Sequence, residues 1–279
     1  MKIKITVLVE DSVRKRGLVA QHGLSMLVEI LKDDKELTVL MDTGQDAEIL
    51  LKNADILGVD LELVDVIVLS HGHYDHAGGL IGVLKEIGRP IPVIAHPKAF
   101  EGKFASKPHL RYIGVNYTLK DVRNAGGIPV LSKTPVHIFD GVSTTGEIER
   151  TTSFEVVEGF LRIEGERLVE DEIPDCQSLI MWDEEDLVVL TGCAHAGVVN
   201  TIKHAMQISK AKKLKAVIGG FHLEKASEQR IKLTIEEISK FNSEIVAPMH
   251  CTGFRATAKI AEAFNKQFKL LKTGSILEL

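Results

Sequence analysis

The segment Leu69-Ser70-His71-Gly72-His73-Tyr74-Asp75-His76 places three imidazoles and a carboxylate within six residues, directly after a mostly apolar run from Val64 to Leu69. That run is short, rich in β-branched residues and ended by small and polar ones, so it reads as a buried strand. The cluster then sits on the loop at the strand's carboxyl end, where a rigid strand positions side chains and the loop leaves them accessible. Histidine and aspartate suit zinc, iron or manganese. The spacing lets His71 and His73 serve one metal while Asp75 and His76 serve a second, and two metals about 3.5–4 Å apart make a clamp suited to hydrolysis or displacement. Stability alone does not select such a cluster, because each polar group must be hydrogen-bonded when it is desolvated.

The rest of the chain sets bounds on this reading. Its 279 residues are 44% hydrophobic and 26% charged, ordinary for a globular protein with a full core. The formal net charge of −5 argues against a general nucleic-acid binder, which is basic. No run approaches the roughly 18 apolar residues of a membrane span. Met1 to Glu10 alternates like a strand and lacks the apolar core and cleavage site of a signal peptide. Cys176, Cys193 and Cys251 are odd in number and far apart. They do not read as a disulfide framework, so a reducing cytoplasm is expected.

One layout recurs in both halves. Strands are predicted at Ile3 to Val9, Ser25 to Leu31, Thr38 to Met41, Val66 to Leu69 and Pro92 to His96, with helices at Gln45 to Leu57 and Gly79 to Ile87. The second half gives strands at Phe154 to Val157, Phe160 to Ile163, Ser178 to Trp182, Leu187 to Leu190, Lys215 to Gly219 and Glu244 to Ala247. Helices follow at Val198 to Ser209, Ser227 to Phe241 and Thr257 to Phe264. Strand pairs followed by strand–helix alternation indicate an α/β protein. A single domain over residues 1–279 is expected, with the polar, glycine-containing stretch Lys103 to Pro135 as an insertion or lid.

The His-x-His-x-Asp-His loop after a buried strand resembles the signature of the metallo-β-lactamase superfamily. The resemblance implies an αββα sandwich of two mixed β-sheets with helices on the outside. It also gives meaning to Asp42-Thr43-Gly44 after Thr38 to Met41, which alone reads as a turn. In the family the corresponding aspartate orients the histidine loop from behind the ligands. Further candidates lie at the ends of later strands. Where the family carries a bridging aspartate this chain reads Gly192-Cys193, with His195 two residues on. His195 is favoured as the metal ligand and Cys193 is placed behind it, although thiolate is also a zinc ligand. His250, in Pro248-Met249-His250-Cys251, resembles the last family motif and is expected to complete the second metal's shell. Cys251, next to it on an extended strand, is expected to point away. His222, in Gly219-Gly220-Phe221-His222, is a candidate acid or donor. The stretch Asp171 to Leu179 lacks the histidine usual for the family. Asp175 or Gln177 is left near the metal instead, and His96 and His137 are not assigned there.

The finer resemblance is to the branch that contains a pterin-type synthase. It rests on these motifs together with Gln21-His22-Gly23-Leu24-Ser25 and Thr144-Thr145-Gly146-Glu147-Ile148 with Arg150. It implies two divalent metal ions (Zn, Mn or Fe) held by His71, His73, Asp75, His76, His195 and His250, with Asp75 and His222 taking part in catalysis. Thr144, Thr145 and Arg150 are expected to meet a phosphate-bearing substrate. Hydrolysis of a small phosphate-bearing or ester substrate by a metal-activated water is the leading reading. Condensation of a dihydropterin-methyl diphosphate with an aminobenzene ribofuranosyl phosphate and iron-dependent redox chemistry are the alternatives. The expected partner is a small molecule, with no nucleic acid and no membrane, and homo-oligomerisation is left open.

Overall fold

Alternation along the first ten residues becomes an eight-residue strand in the computed structural model, which describes residues 1–279. In chain order the elements are β1 (Lys2–Val9), β2 (Ser25–Lys32), β3 (Lys35–Met41), α1 (Ala47–Leu57), β4 (Val66–Val68), α2 (Tyr74–Ala77), α3 (Leu80–Ile87) and β5 (Ile91–Ala95). Then come β6 (Lys103–Ala105), β7 (Arg111–Tyr112), α4 (Leu119–Asn124), β8 (Gly127–Leu131), β9 (His137–Phe139), β10 (Val142–Thr144), β11 (Phe160–Glu164) and β12 (Arg167–Glu170). The chain continues through β13 (Ser178–Asp183), β14 (Asp186–Thr191), α5 (Val198–Ser209), β15 (Lys213–Gly220), α6 (Glu228–Ser239), β16 (Ile245–Met249), α7 (Phe254–Phe264) and β17 (Ile276–Glu278).

The chain divides into two compact units. The first comprises Met1–Lys133, Glu158–Asp175 and Lys272–Leu279. Its seven-stranded sheet runs β17-β1-β2-β3-β4-β5-β8. The strands from β17 to β3 pair antiparallel and those from β3 to β8 pair parallel. The β2–β3 hairpin closes through Asp33 and Asp34, both with positive φ (49° and 58°), the pattern of a two-residue turn whose twist matches its strands. Helices α1 and α3 bury Leu50, Ala54, Leu80, Val83 and Leu84 with Leu8, Leu40, Ile67 and Val93 of the sheet. Asn53 of α1 is fully buried. Its amide donates to the carbonyls of Leu8 and Val19 and its oxygen accepts from the Val19 N–H, so the loop after β1 is tied to the helix. A second, four-stranded sheet, β12-β11-β6-β7, belongs to the same unit. The stretch from Lys103 to Pro135 therefore carries β6 and β7, as well as α4 and the edge strand β8.

The second unit comprises Thr134–Val157 and Cys176–Leu271. Its sheet runs β16-β15-β14-β13-β10-β9, parallel from β16 to β14 and antiparallel beyond. Helices α5, α6 and α7 bury Val199, Ile202, Ile231, Ile238 and Ile260 with Ile180, Val189, Val217 and Val246. The same layout, antiparallel strands followed by parallel strands with helices, thus appears in each unit, as the sequence pattern indicates. No helix is long and apolar enough to cross a membrane.

One predicted strand is absent. Phe154 to Val157 forms no strand, because Glu155 is bound to the start of α5. Helix α5 begins after Gly197, which offers no capping side chain. The buried carboxylate of Glu155 instead accepts the N–H groups of Val199 and Asn200, at 2.9 and 2.8 Å, and the Thr152 hydroxyl at 3.1 Å. Those amides are among the four that a helix start leaves without internal partners. Burial pushes the Glu155 carboxyl above its usual range, and the amide bonds offset that only in part. Glu155→Ala is expected to cost about 1–3 kcal/mol of stability and to accelerate amide exchange at Val199 and Asn200. Glu155→Gln keeps an acceptor and should cost less; denaturant unfolding and hydrogen exchange check both.

Candidate metal centre

The first unit gathers His71, His73, Asp75 and His76 beyond β4, and a single carboxylate organises them. Asp42 follows β3 in a left-handed conformation (φ 60°), and its N–H donates to the Val68 carbonyl at 2.9 Å. Its fully buried carboxylate accepts the Ser70 N–H and the Ser70 hydroxyl, both at 2.7 Å. The same carboxylate lies 2.7 Å from His76 Nδ1. A carboxylate only accepts, so His76 carries its proton on Nδ1 and presents the Nε2 lone pair. The Ser70 hydroxyl also lies 2.9 Å from His71 Nδ1. The ring centroids of His71 stand 4.5 Å from His73 and 4.4 Å from His76. His71 Nε2 is 3.0 Å from His73 Nδ1.

The small residues around this loop have steric reasons. A Cβ on Gly72 would lie 1.9 Å from the Ala99 carbonyl oxygen. On Gly79 it would lie 2.3 Å from the Thr43 oxygen. The missing Cβ at each lets backbone approach backbone, Gly72 against Ala99 and Gly79 against the turn after β3. There the Thr43 N–H donates to the His76 carbonyl at 2.6 Å.

Asp75 Oδ2 lies 3.8 Å from His76 Nε2 and 3.4 Å from His22 Nε2. His22 also reaches Asp11 at 3.3 Å. The sequence carries His22 in the Gln21-His22-Gly23 motif, but only the fold shows that it meets Asp75. Asp175 is fully buried and accepts the Gly72 N–H at 2.9 Å, so it stands against the metal loop's main chain. His96 caps the turn after β5 by accepting the Lys98 N–H at 3.0 Å. His137 packs edge-on against Trp182. Neither is drawn into the cluster.

The second unit gathers a softer donor set. Ligand atoms of Cys193, His195 and His222 lie within 4.8 Å of one another, and so do those of Cys193, His250 and Cys251. The rings of His195 and His222 stand 4.2 Å apart. Two glycines allow the strand ends to converge: a Cβ on Gly219 would lie 2.1 Å from the Thr191 oxygen, and one on Gly220 2.4 Å from the Gly192 oxygen. Cys251 does not point away from this group. His250 adopts a left-handed conformation (φ 47°) at the start of a 3-10 turn, so Cys251 leaves the extended strand and its thiol reaches the Cys193 carbonyl at 3.6 Å. Burial pushes that thiol's pKa up. Contacts with Cys193 and His222 and the charge of His250 outweigh burial and hold it well below the usual thiol range.

The predicted phosphate contacts fare differently. Thr144 and Thr145 are fully buried. The Thr144 hydroxyl oxygen accepts the Val136 N–H. The Thr145 hydroxyl accepts the Ser178 N–H and donates to the Gly146 carbonyl. Both serve the main chain at the end of β10 and offer a substrate no exposed hydroxyl. Arg150 is exposed.

The donor chemistry fits divalent metal. Three imidazoles and a carboxylate in one unit, and imidazoles with thiols in the other, are ligand types for zinc or iron. The carboxylate behind His76 is the usual second partner of a metal-ligating histidine. In the metal-free protein, burial pushes the His73 imidazole down from 6.5 to about 4, against the pull of Asp75. A depressed histidine pKa means that the unfolded chain binds the extra proton first. His73 therefore contributes stability that is present above pH 6.5 and lost as pH falls from 6.5 toward 4, by roughly 3 kcal/mol in all. An NMR titration of metal-free protein should show His73 neutral at pH 6, and metal-free His73→Phe should lose less stability across that window.

Comparison with known proteins agrees with this geometry. Residues 19–197 match the model of the metallo-β-lactamase superfamily. The chain is 38% identical over 283 residues to the 7,8-dihydropterin-6-methyl-4-(β-D-ribofuranosyl)-aminobenzene-5′-phosphate synthase of Methanocaldococcus jannaschii, covering 99% of this chain and 96% of that protein. An uncharacterised protein of the same organism is 33% identical, over 94% and 95% of the two chains. A crystal structure described as a metal-dependent hydrolase of the β-lactamase superfamily superposes with a TM-score of 0.80 at 31% identity, covering 99% of each chain. With its mixed sheets and helices in the metallo-β-lactamase fold, the chain belongs to the metallo-β-lactamase superfamily.

Proposed function

We propose that the chain is a divalent-metal enzyme that catalyses displacement at a phosphate-bearing substrate, and that the displacement is the synthase one. In this reading two divalent ions are bound in all, with His71, His73, Asp75 and His76 as ligands in the first unit and His195 and His250 as ligands in the second. When bound, such ions supply Lewis acidity, which draws charge onto a leaving oxygen or lowers the pKa of a water. The protein's own part is positioning. Asp42 fixes the tautomer of His76 and, through Ser70, the loop that carries His71. In this reading Asp75, with His22 at 3.4 Å, takes up a proton, and His222 is the candidate donor. Cys193 and Cys251 add thiols beside His195 and His250. In the synthase reaction a carbon or nitrogen nucleophile of the aminobenzene ribofuranosyl phosphate displaces diphosphate from the dihydropterin methylene.

The observation that carries the reading is the buried Asp42 carboxylate behind His76, one of three clustered imidazoles. The synthase, rather than hydrolysis, is favoured by the 38% identity that runs across nearly the whole of both chains. Hydrolysis of a small phosphate-bearing or ester substrate is the second reading, favoured by the 31% identical structure described as a hydrolase.

Purified protein should carry zinc, iron or manganese and lose turnover on chelation, with recovery on adding the metal back. Mass spectrometry of a mixture of dihydropterin-methyl diphosphate and aminobenzene ribofuranosyl phosphate should show the condensed product. His73→Ala should lower its rate by about 100-fold or more. Release of pterin alcohol and diphosphate without condensation would favour the hydrolase. Neither product, with metal bound, would sink the synthase reading.

A further inference from the structure

The four-stranded sheet β12-β11-β6-β7 and the segments that leave its strands hold three consecutive residues of the histidine loop. The Gly72 N–H donates to Asp175 at 2.9 Å. The His73 ring stacks on Phe160 of β11, with centroids 5.4 Å apart and planes 28° from parallel. The Tyr74 N–H donates to the Ile113 carbonyl at 2.9 Å, and Ile113 itself donates to the Lys103 carbonyl at 2.9 Å.

Beneath these contacts lies a lysine that is 0% exposed. Lys103 Nζ is 2.8 Å from Asp175 Oδ1 and 3.0 Å from Asp171 Oδ2. The other Asp175 oxygen takes the Gly72 amide, and Asp171 Oδ1 takes the Ile173 N–H at 2.8 Å. Burial works against charge on Lys103, but Asp175 and Asp171 outweigh it and raise its pKa. Burial likewise opposes the charge of Asp175, and Lys103 outweighs it. The group is an ion triad. Apolar residues of the same volume are often as stabilising as a buried triad, so stability gives no reason to prefer it. A charged acceptor held at a fixed point is something apolar packing does not supply.

We propose that Lys103, Asp171 and Asp175 are positioning residues of the metal centre: the triad locks the Gly72 amide, and with it the side chains of His71 and His73 on either side, in the metal-binding arrangement. The inference rests on the metal-centre reading above. Outer carboxylates that orient metal ligands change metal affinity by 10–100-fold when removed. This one acts on the main chain between two ligands instead of on a ligand's ring.

Two charge-neutral triple variants test it. Lys103→Met/Asp171→Asn/Asp175→Asn keeps an acceptor for Gly72. Lys103→Met/Asp171→Asn/Asp175→Leu does not. Neither leaves a lone buried charge. The leucine form is expected to bind zinc about 10–100-fold more weakly, to show an altered visible spectrum with cobalt, and to lose hydrogen-exchange protection at Gly72. The asparagine form should restore all three. Wild-type zinc affinity and cobalt spectrum in the leucine form would overturn the proposal. Gly72 exchange in metal-free wild type gives a readout that needs no variant to fold. Protection at the level of the β6 amides supports the lock, and exchange at the rate of an open loop overturns it. Wild type that takes up no zinc, iron or manganese would overturn the metal-centre reading, and the Gly72 exchange would still decide the lock.

Discussion

The arrangement of the histidine loop depends on one buried carboxylate. Asp42 gathers a main-chain amide, a hydroxyl and an imidazole on two oxygens, each at 2.7 Å. Burying a carboxylate costs several kcal/mol when it is left alone. Charge-assisted hydrogen bonds of this length are the interactions strong enough to offset that cost. The result joins the start of the loop, at Ser70, to its end, at His76. Asp42 reaches this position only because its backbone turns left-handed directly after β3, and the turn is secured by its N–H on Val68. Aspartate tolerates that conformation better than most residues.

The second unit fixes its donors by another means. Ala194, His222 and His250 all hold positive φ, at 49°, 50° and 47°. Conformations of this kind cost of order 1–3 kcal/mol each and persist only where the surroundings over-determine them. Here they do. Gly220 donates to the Gly192 carbonyl, and Leu223 and Glu224 both donate to the Cys251 carbonyl. Phe221 donates to the Thr252 hydroxyl, which in turn donates to the Met249 carbonyl. Three loops at the ends of β14, β15 and β16 thus brace one another, and the strain falls at or beside the residues that carry donors.

These two devices differ in how far the sequence displays them. The histidine loop and its strand are legible because ligand types at short spacing carry their own meaning, and the aspartate after β3 is legible through the family resemblance. Most strands and helices were legible because alternation and 3.6-residue periodicity are local. What escaped was non-local. Phe154 to Val157 has the apolar content of a strand, yet Glu155 is taken by a helix start some 44 residues away. Cys251 was expected to point away because the strand was assumed to continue, whereas the chain turns at His250. Thr144 and Thr145 read as available for a phosphate, but their buried hydroxyls close main-chain bonds at the end of β10. Lys103 gave no signal at all. A lysine in a polar stretch reads as solvated, and its two partners lie 68 and 72 residues downstream.

The Asp42 and Asp175 contacts share a logic. Ser70 and Gly72 each place a main-chain N–H on a buried carboxylate, and His71 and His73 follow them in alternation. Gripping the main chain fixes where the donor side chains start, independent of what those side chains are. Glycine at 72 is part of the same device. A side chain there would meet the Ala99 carbonyl and force the amide off Asp175. The donor arrangement is set by amides, carboxylates and glycines buried behind the loop.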